Sequence, residues 1–448
     1  MGKLTHHQPS YVVKEFLCQK DIKTIVTLLA VELGMLLLAA YKGLGYYYLP
    51  VIILLMVFST AGCAIAFHFE ADRYLLIIVL VLMNIGFLVQ QIHSGKNMQV
   101  KSFVVKFAVA IAVSMITAFF YKYFGDLLSR DFMVFVCMAL QYILCIATMI
   151  LGRVIGDSSE QGATISLFGI TPFELVKVIY IFVAVGILCK EEKEVFFLGR
   201  RKIKREWILV IHTVFLSIFF LICRELGTLM IVYITGLILL WTYGKNRKCI
   251  IGLILLSIAG YLIALYVCQQ IVYPLLASNE ITLPGVVSKL VKRFGTAFHP
   301  ETAISGDGYQ GTLGLEAIAI GGWLGISSER YRLPLPEASN DFVFANVVQT
   351  CGLMMGLLII LFLFTLLKRG IEISERCEDL YFQGISFSIT VLIIVESIIH
   401  LGYNTAVMPI TGIPLYFISQ GFTAIITGMA LTAVLLVIST GNIERTVV

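Results

Sequence analysis

RFGTAFHPETAISGDGYQGTLGLEAIAIGGWLGISSERYRLPLPEASNDFVFA, residues 293–345, stands apart in a chain that is otherwise almost continuously apolar. It gathers glycines, prolines, charges of both signs and aromatics, and it ends on LPEASNDF just before a new apolar run. Long connections are uncommon in compact proteins, and those that occur tend to carry function. In a membrane protein, a connection this varied is the first place to look for a site.

On both sides of it the sequence reads as membrane. Of the 448 residues, 59% are hydrophobic and 14% charged, and the mean hydropathy is +0.93; soluble domains carry about 25% charged residues. A spanning helix needs about 20 mostly apolar residues. Runs that qualify lie near 24–41, 49–68, 74–91, 103–121, 132–151, 173–189, 207–223, 226–243, 249–268, 341–367, 385–402 and 414–438. The expected fold is an all-α polytopic helix bundle of about twelve spans with a large loop, 269–340, between the ninth and tenth.

Lys and Arg set the orientation, because short cytoplasmic loops are enriched in them. The N-terminal segment 1–23, with four Lys, the 190–206 loop, GKNRK (244–248) and KRGIEISER (368–376) are therefore expected inside. An even span count places all four there, puts both termini in the cytoplasm and puts 152–172, the RELGT corner, 269–340 and NTAVMPITG (404–412) outside. Lys96 and Lys101 fall outside and mildly disagree. The net charge of +5 lies in such loops and gives no nucleic-acid reading. The first apolar run lacks a small-residue cleavage site and reads as an uncleaved span. The ten cysteines are scattered, without CxxC or a Cys/His cluster, and read as small buried hydrophobes.

Ionisable groups at membrane depth face protein or a water-filled cavity. Glu174 and Lys177 share one helical face three residues apart; a substrate-facing pair and an internal packing pair fit equally well. Glu396 and His400, with Asn404 one turn further, form a second polar row. Glu225 sits in a break between two runs, Glu32 and Lys106 look isolated, and His212 reads as a satisfied packing residue. HExxH, a metal-spaced Asp pair and GxxxxGK[ST] are absent from the sequence.

Five segments in order resemble the SEDS family (shape, elongation, division and sporulation; the FtsW, RodA and SpoVE group) of bacterial cell-wall polymerases. TPFELVK (171–177) looks like the family's QPSEFAK, with Glu174 and Lys177 in matching places. ELGT (225–228) looks like DLGT. GYQ (308–310) followed by AIAIGGWLG (317–325) looks like GYQ and its Gly-rich segment. LPEASNDFVFA (335–345) looks like LPE–x–x–x–DFIFA, and PITGIPLYFIS (409–419) looks like PVTGVPLPFIS. The family has ten spans, three of them before the first motif. Five precede it here, which implies two extra N-terminal helices. The chain then divides into 1–23, a cytoplasmic segment; 24–102, the extra helices and the first part of the bundle; and 103–448, the SEDS-like core.

The resemblance implies a peptidoglycan glycosyltransferase of the bacterial cytoplasmic membrane that polymerises lipid II on the outer face. Its partners would be an undecaprenyl-linked precursor, a class B penicillin-binding protein and other divisome or elongasome membrane proteins. A loop carboxylate would act as general base, and basic groups or a divalent cation would balance the leaving diphosphate. The family's catalytic Asp falls on Ala303, which cannot take a proton; Glu301 and Asp307 flank it as candidate replacements. Lys177, Glu174, Arg293, Tyr309, Gln310, Glu337 and Asp341 are the candidate substrate-binding residues. Other positions depart too: the Arg-Trp pair expected before TPFELVK is missing from GATISLFG (162–169), the acidic pair after DFVFA is Gln349 and Thr350, and the final motif runs Ser419, Gln420, Gly421, Phe422. Three readings follow: a polymerase with a relocated base, a catalytically silent paralogue binding lipid-linked precursor or a partner, and a lipid-linked precursor transporter.

Overall fold

In a computed structural model, the described residues are 70–94, 100–155, 172–190, 194–197, 201–223, 225–278, 285–295, 307–326 and 331–441, with isolated positions between 26 and 62. The expected spans at 24–41 and 49–68 lie almost wholly outside them. The helices are α1 (Arg73–Ser94), α2 (Val100–Phe124), α3 (Asp131–Ile155), α4 (Pro172–Leu188), α5 (Arg205–Ile222), α6 (Leu226–Tyr243), α7 (Arg247–Val267), α8 (Tyr273–Ala277), α9 (Gly285–Gly295), α10 (Asp307–Gly321), α11 (Val343–Cys351), α12 (Leu353–Glu375), α13 (Leu380–Asn404) and α14 (Phe422–Ser439). Among the described residues, nine helices are long and apolar enough to cross a membrane. A short hairpin, β1 (Glu194–Phe197) antiparallel to β2 (Arg201–Lys204), interrupts the helical pattern.

Local chemistry starts several helices. The Asp72 carboxylate accepts the Leu75 amide at 2.9 Å, and Asp379 accepts that of Tyr381 at 2.8 Å, each satisfying an orphan first-turn donor. Inside the spans, hydroxyls fold back onto their own helix: Ser388, Thr390 and Ser397 bond the carbonyl four residues earlier. This hides polar groups without needing a partner helix.

Three expected boundaries are corrected. The 341–367 run is two helices, because Gly352 at φ +89° breaks it; α11 is short and entirely buried, and the span itself is α12. KRGIEISER is largely the last turns of α12 and not a loop. In 414–438, residues up to Gly421 are non-helical and only Phe422 onward is helix. The 269–340 loop is also more ordered than a loop: α7 runs through a π turn (Cys268–Val272) into α8, and α9 and α10 follow.

The helices sort the polar connections onto two ends. At one end, Arg369 of α12 pairs with Asp72 and Glu372, the Asp72 amide donates to Ser439 at 2.9 Å, and Asp131 holds Arg205 and Lys190 at 3.1 and 3.4 Å. At the other end, Arg332 donates to the Ile92 carbonyl at 3.2 Å and Lys106 to the Gln420 carbonyl at 3.3 Å. The first group belongs to connections expected inside and the second to those expected outside. Lys106 is therefore not isolated. Neither is Glu32, which accepts from Asn84 of α1 at 3.0 Å.

Close backbone approach holds the second end together. A side chain at Gly86 would lie 2.4 Å from the Ile418 carbonyl, and Gln90, one turn on, donates to that carbonyl at 2.8 Å. Gly325, at φ +80°, meets the Thr350 carbonyl, and a Cβ there would sit 2.2 Å from it. Gly325→Ala combines left-handed backbone strain of roughly 1–2 kcal/mol with this clash, so thermal unfolding in detergent should fall by several degrees. Gly260→Ala meets nothing within 4 Å and should be neutral or raise stability by up to about 1 kcal/mol. Equal melting of the two variants would contradict the packing described.

Candidate functional site

The segment LPEASNDF and the segment PITGIPLYFIS lie far apart in sequence, yet they share hydrogen bonds. The Asn404 amide donates to the Asp341 carbonyl at 3.0 Å. The Tyr403 hydroxyl lies within hydrogen-bond distance of two carbonyls, Asp341 at 2.7 Å and Ile413 at 2.6 Å. His400 completes the clasp: Nδ1 meets the Ile413 carbonyl at 2.7 Å and Nε2 meets the Asn404 amide at 3.2 Å. Those partners imply a neutral ring with the proton on Nδ1. The Asn404 side-chain oxygen in turn accepts the Ala345 amide at 3.2 Å. Further along, Ser419 donates to the Asn340 carbonyl at 3.1 Å, and the Gln420 backbone amide donates to the Ser339 carbonyl at 2.9 Å. The last turns of α13 thus staple both segments to one end of the bundle.

The other motifs meet the same place. Gly227 of ELGT faces Ile413 so closely that a Cβ would lie 2.6 Å from it, and Gly314 of α10 faces Phe342 at 2.9 Å. TPFELVK opens α4 beneath them. There Lys177 Nζ sits between two carboxylates, Glu174 and Glu396, at 2.9 Å from each. The lysine and Glu396 side chains are 1% and 0% exposed. Tyr416, from PITGIPLYFIS, covers the pair: its ring centre is 5.7 Å from Nζ and its hydroxyl reaches Glu174 at 3.5 Å. A cation held this way has its charge met by protein, which answers much of its desolvation penalty.

The predicted site residues do not all come together. Glu174 and Lys177 do pair as their spacing implies, but they form a closed buried cluster with a third member, Glu396. Asp341 lies in the segment that Tyr403 and Asn404 hold, and Arg293 lies in the last turn of α9. A Cβ on Gly412 would lie 3.2 Å from the Asp341 carboxylate. Glu337 is exposed, in left-handed backbone at φ +48°, and accepts from Asn340 at 3.3 Å. Tyr309 is exposed and Gln310 half-buried on the first turn of α10. Asp307 begins that helix. Glu301 and Ala303 lie outside the described residues.

Tyr403 and Tyr416 escaped the sequence reading, because a tyrosine in an apolar run looks like core. Glu396, His400 and Asn404 were visible as a row with four-residue spacing, but their partners were not. His212 is satisfied as expected, by Tyr142 at 2.8 Å and Gln141 at 3.0 Å. Among the described residues, no group of three or more His, Cys, Asp or Glu is arranged to hold a metal ion.

The family profile described as cell cycle protein, FtsW/RodA/SpoVE, matches residues 72–443. Stage V sporulation protein E of Bacillus subtilis is 25% identical over 307 residues, which cover 67% of this chain and 77% of that protein. The probable peptidoglycan glycosyltransferase FtsW of Lactococcus lactis is 27% identical over 269 residues, 56% of this chain and 61% of that one. Two solved structures share the fold. One chain of a peptidoglycan synthase complex superposes with a TM-score of 0.58 at 19% identity, covering 84% of this chain and 99% of that one. The Thermus thermophilus rod shape determining protein RodA superposes with a TM-score of 0.52 at 17% identity, covering 84% and 98%. With a profile that spans most of the sequence, and motifs that converge on one end of a common bundle, the chain belongs to the FtsW/RodA/SpoVE (SEDS) family, the polytopic membrane proteins of bacterial peptidoglycan synthesis.

Proposed function

We propose that this protein polymerises lipid II at the clasped end of its bundle, with a carboxylate of the 301–307 segment, Asp307 or Glu301, in the role expected at Ala303. One observation supports the reading above others: four separated motif segments meet around Asp341, Tyr403 and Gly412, directly above the Lys177 cluster. In the reaction, the acceptor hydroxyl gives its proton to the carboxylate and its oxygen bonds to the anomeric carbon. The bond to the lipid diphosphate breaks, and the diphosphate leaves with the electron pair. Arg293, in the last turn of α9, is the cation proposed to meet the diphosphate, with a divalent ion as its complement in that role. A class B penicillin-binding protein is the proposed partner, and the clasped end is proposed to face outward from the cytoplasmic membrane.

The substitution at Ala303 favours a second reading, a silent paralogue that binds the precursor or a partner without transferring sugar. Lipid II polymerisation by the purified protein with its penicillin-binding protein separates the two. Glycan chains that drop by about a hundredfold or more in Asp307→Asn or Glu301→Gln, the typical scale for loss of a general base, support a relocated base. Absence of chains from wild type, with chains restored by Ala303→Asp, would instead establish the silent paralogue.

Lys177 has a structural role in either reading. Lys177→Met leaves two buried carboxylates without their cation and should cost about 3–5 kcal/mol, seen as poor recovery of folded protein from detergent. Exchanging Glu174 and Lys177 keeps one cation among two carboxylates. A folded exchange variant with normal polymerisation supports a purely structural pair, and a folded but inactive one supports a substrate-facing pair.

A further inference from the structure

The end of the bundle opposite the clasp carries a basic, tryptophan-lined rim that the polymerase reading leaves unused. Trp207 is the third residue of α5 and Trp241 lies near the end of α6; these antiparallel helices pack side by side, so the two indoles share one level. They are 41% and 45% exposed. The connections beyond them are joined, because the Lys245 amide donates to the Glu206 carboxylate. Six cations belong to this rim. Arg201, Lys202 and Lys204 form most of β2, and Lys245, Arg247 and Lys248 follow α6. Lys204, Lys245, Arg247 and Lys248 are exposed, and the Arg247 guanidinium lies 5.0 Å from the Trp241 ring centre. In sequence, 190–206 and 244–248 together carry ten Lys or Arg and four Glu, a surplus of cations; Glu206 accepts the Lys245 amide and Glu194 stands in register with Lys204.

The neighbouring helix faces say what this rim looks out on. Ile211, Val214, Phe215 and Ile218 of α5 are exposed, as are Leu255 and Leu256 of α7. In a membrane protein such bare apolar faces meet acyl chains. The Asp131 ion pairs to Lys190 and Arg205 anchor the two flanks of the hairpin connection against the head of α3. Register sets the Phe196 position opposite that of Lys202 and the Phe197 position opposite that of Arg201 in the ladder. Tryptophans at headgroup depth with clustered cations beside a lipid-facing wall match the chemistry of an anionic membrane surface.

We propose that strand β2 and the 244–248 connection form a binding site for anionic phospholipid headgroups, seated beside Trp207 and Trp241. The chain has three tryptophans, so Trp323→Phe leaves these two as the only fluorescent reporters at the site. The protein is reconstituted in phosphatidylcholine vesicles that contain a fixed fraction of brominated phosphatidylglycerol or of brominated phosphatidylcholine. The expected result is stronger quenching by the brominated anionic lipid, with the preference collapsing at molar salt. Each cation near an anionic surface changes association about fivefold. Replacing Arg201, Lys202, Lys204, Lys245 and Lys248 with Gln should therefore lower the preference at least fivefold, while swapping each Lys for Arg and Arg201 for Lys should retain it. Equal quenching by the two lipids, or a preference that survives both salt and neutralisation, would overturn the proposal. The salt series on the unaltered rim decides the matter even where the neutralised variant does not fold.

Discussion

The carbonyl oxygens of Asp341 and Ile413 are the points on which the functional end depends. Each belongs to a non-helical stretch at membrane-boundary depth, where an unpaired backbone group costs about 1–3 kcal/mol. Tyr403, His400 and Asn404 supply the donors from a single helix end. Because one side-chain set answers both stretches, neither can move independently. The Gly86 approach and the Gln90 hydrogen bond to Ile418 hold the second stretch from the other side. Irregular backbone is tolerated at such depth only when protein satisfies it, and here the satisfying groups also bring together motifs from residues 225 to 419.

Beneath that clasp, buried charge acts as a spacer. Lys177 joins α4 to α13 through Glu396, and Tyr416 connects the pair to the segment above. Such a cluster is poor evidence for stability compared with an apolar core of equal volume, but breaking it is expensive. Its worth lies in fixing one arrangement of α4, α13 and the 409–419 stretch.

Much of the architecture was legible because membranes impose a simple rule: about 20 apolar residues make a span, and Lys and Arg mark one side. The membrane-spanning character of the chain and the pairing of Glu174 with Lys177 follow from such local rules. Boundaries were less legible. Gly352 splits an apolar run that hydropathy reads as one span, since a single left-handed residue changes chain direction without changing composition. The supposed loop at 293–345 turned out to hold a whole helix, α10, because glycine and charge content mark a polar surface and not an absence of helix. The candidate base is legible only as a gap, with Ala303 where the resemblance expects a carboxylate.

By itself, the sequence determined the membrane class and the family and supplied candidates for the chemistry, since all of these rest on local composition and motif. Only the tertiary structure decided which residues meet. The spans Arg73–Ile92 and Arg247–Leu276 have mean hydropathies of 2.4 and 2.5, yet the first is almost wholly buried and the second almost wholly bare. Lipid tails and protein interior are equally apolar, so hydropathy cannot tell an inner helix from an outer one. Partner choice is a matter of distance in space: Glu396 lies 219 residues from Lys177 and yet 2.9 Å away, and no pattern along the chain encodes that approach.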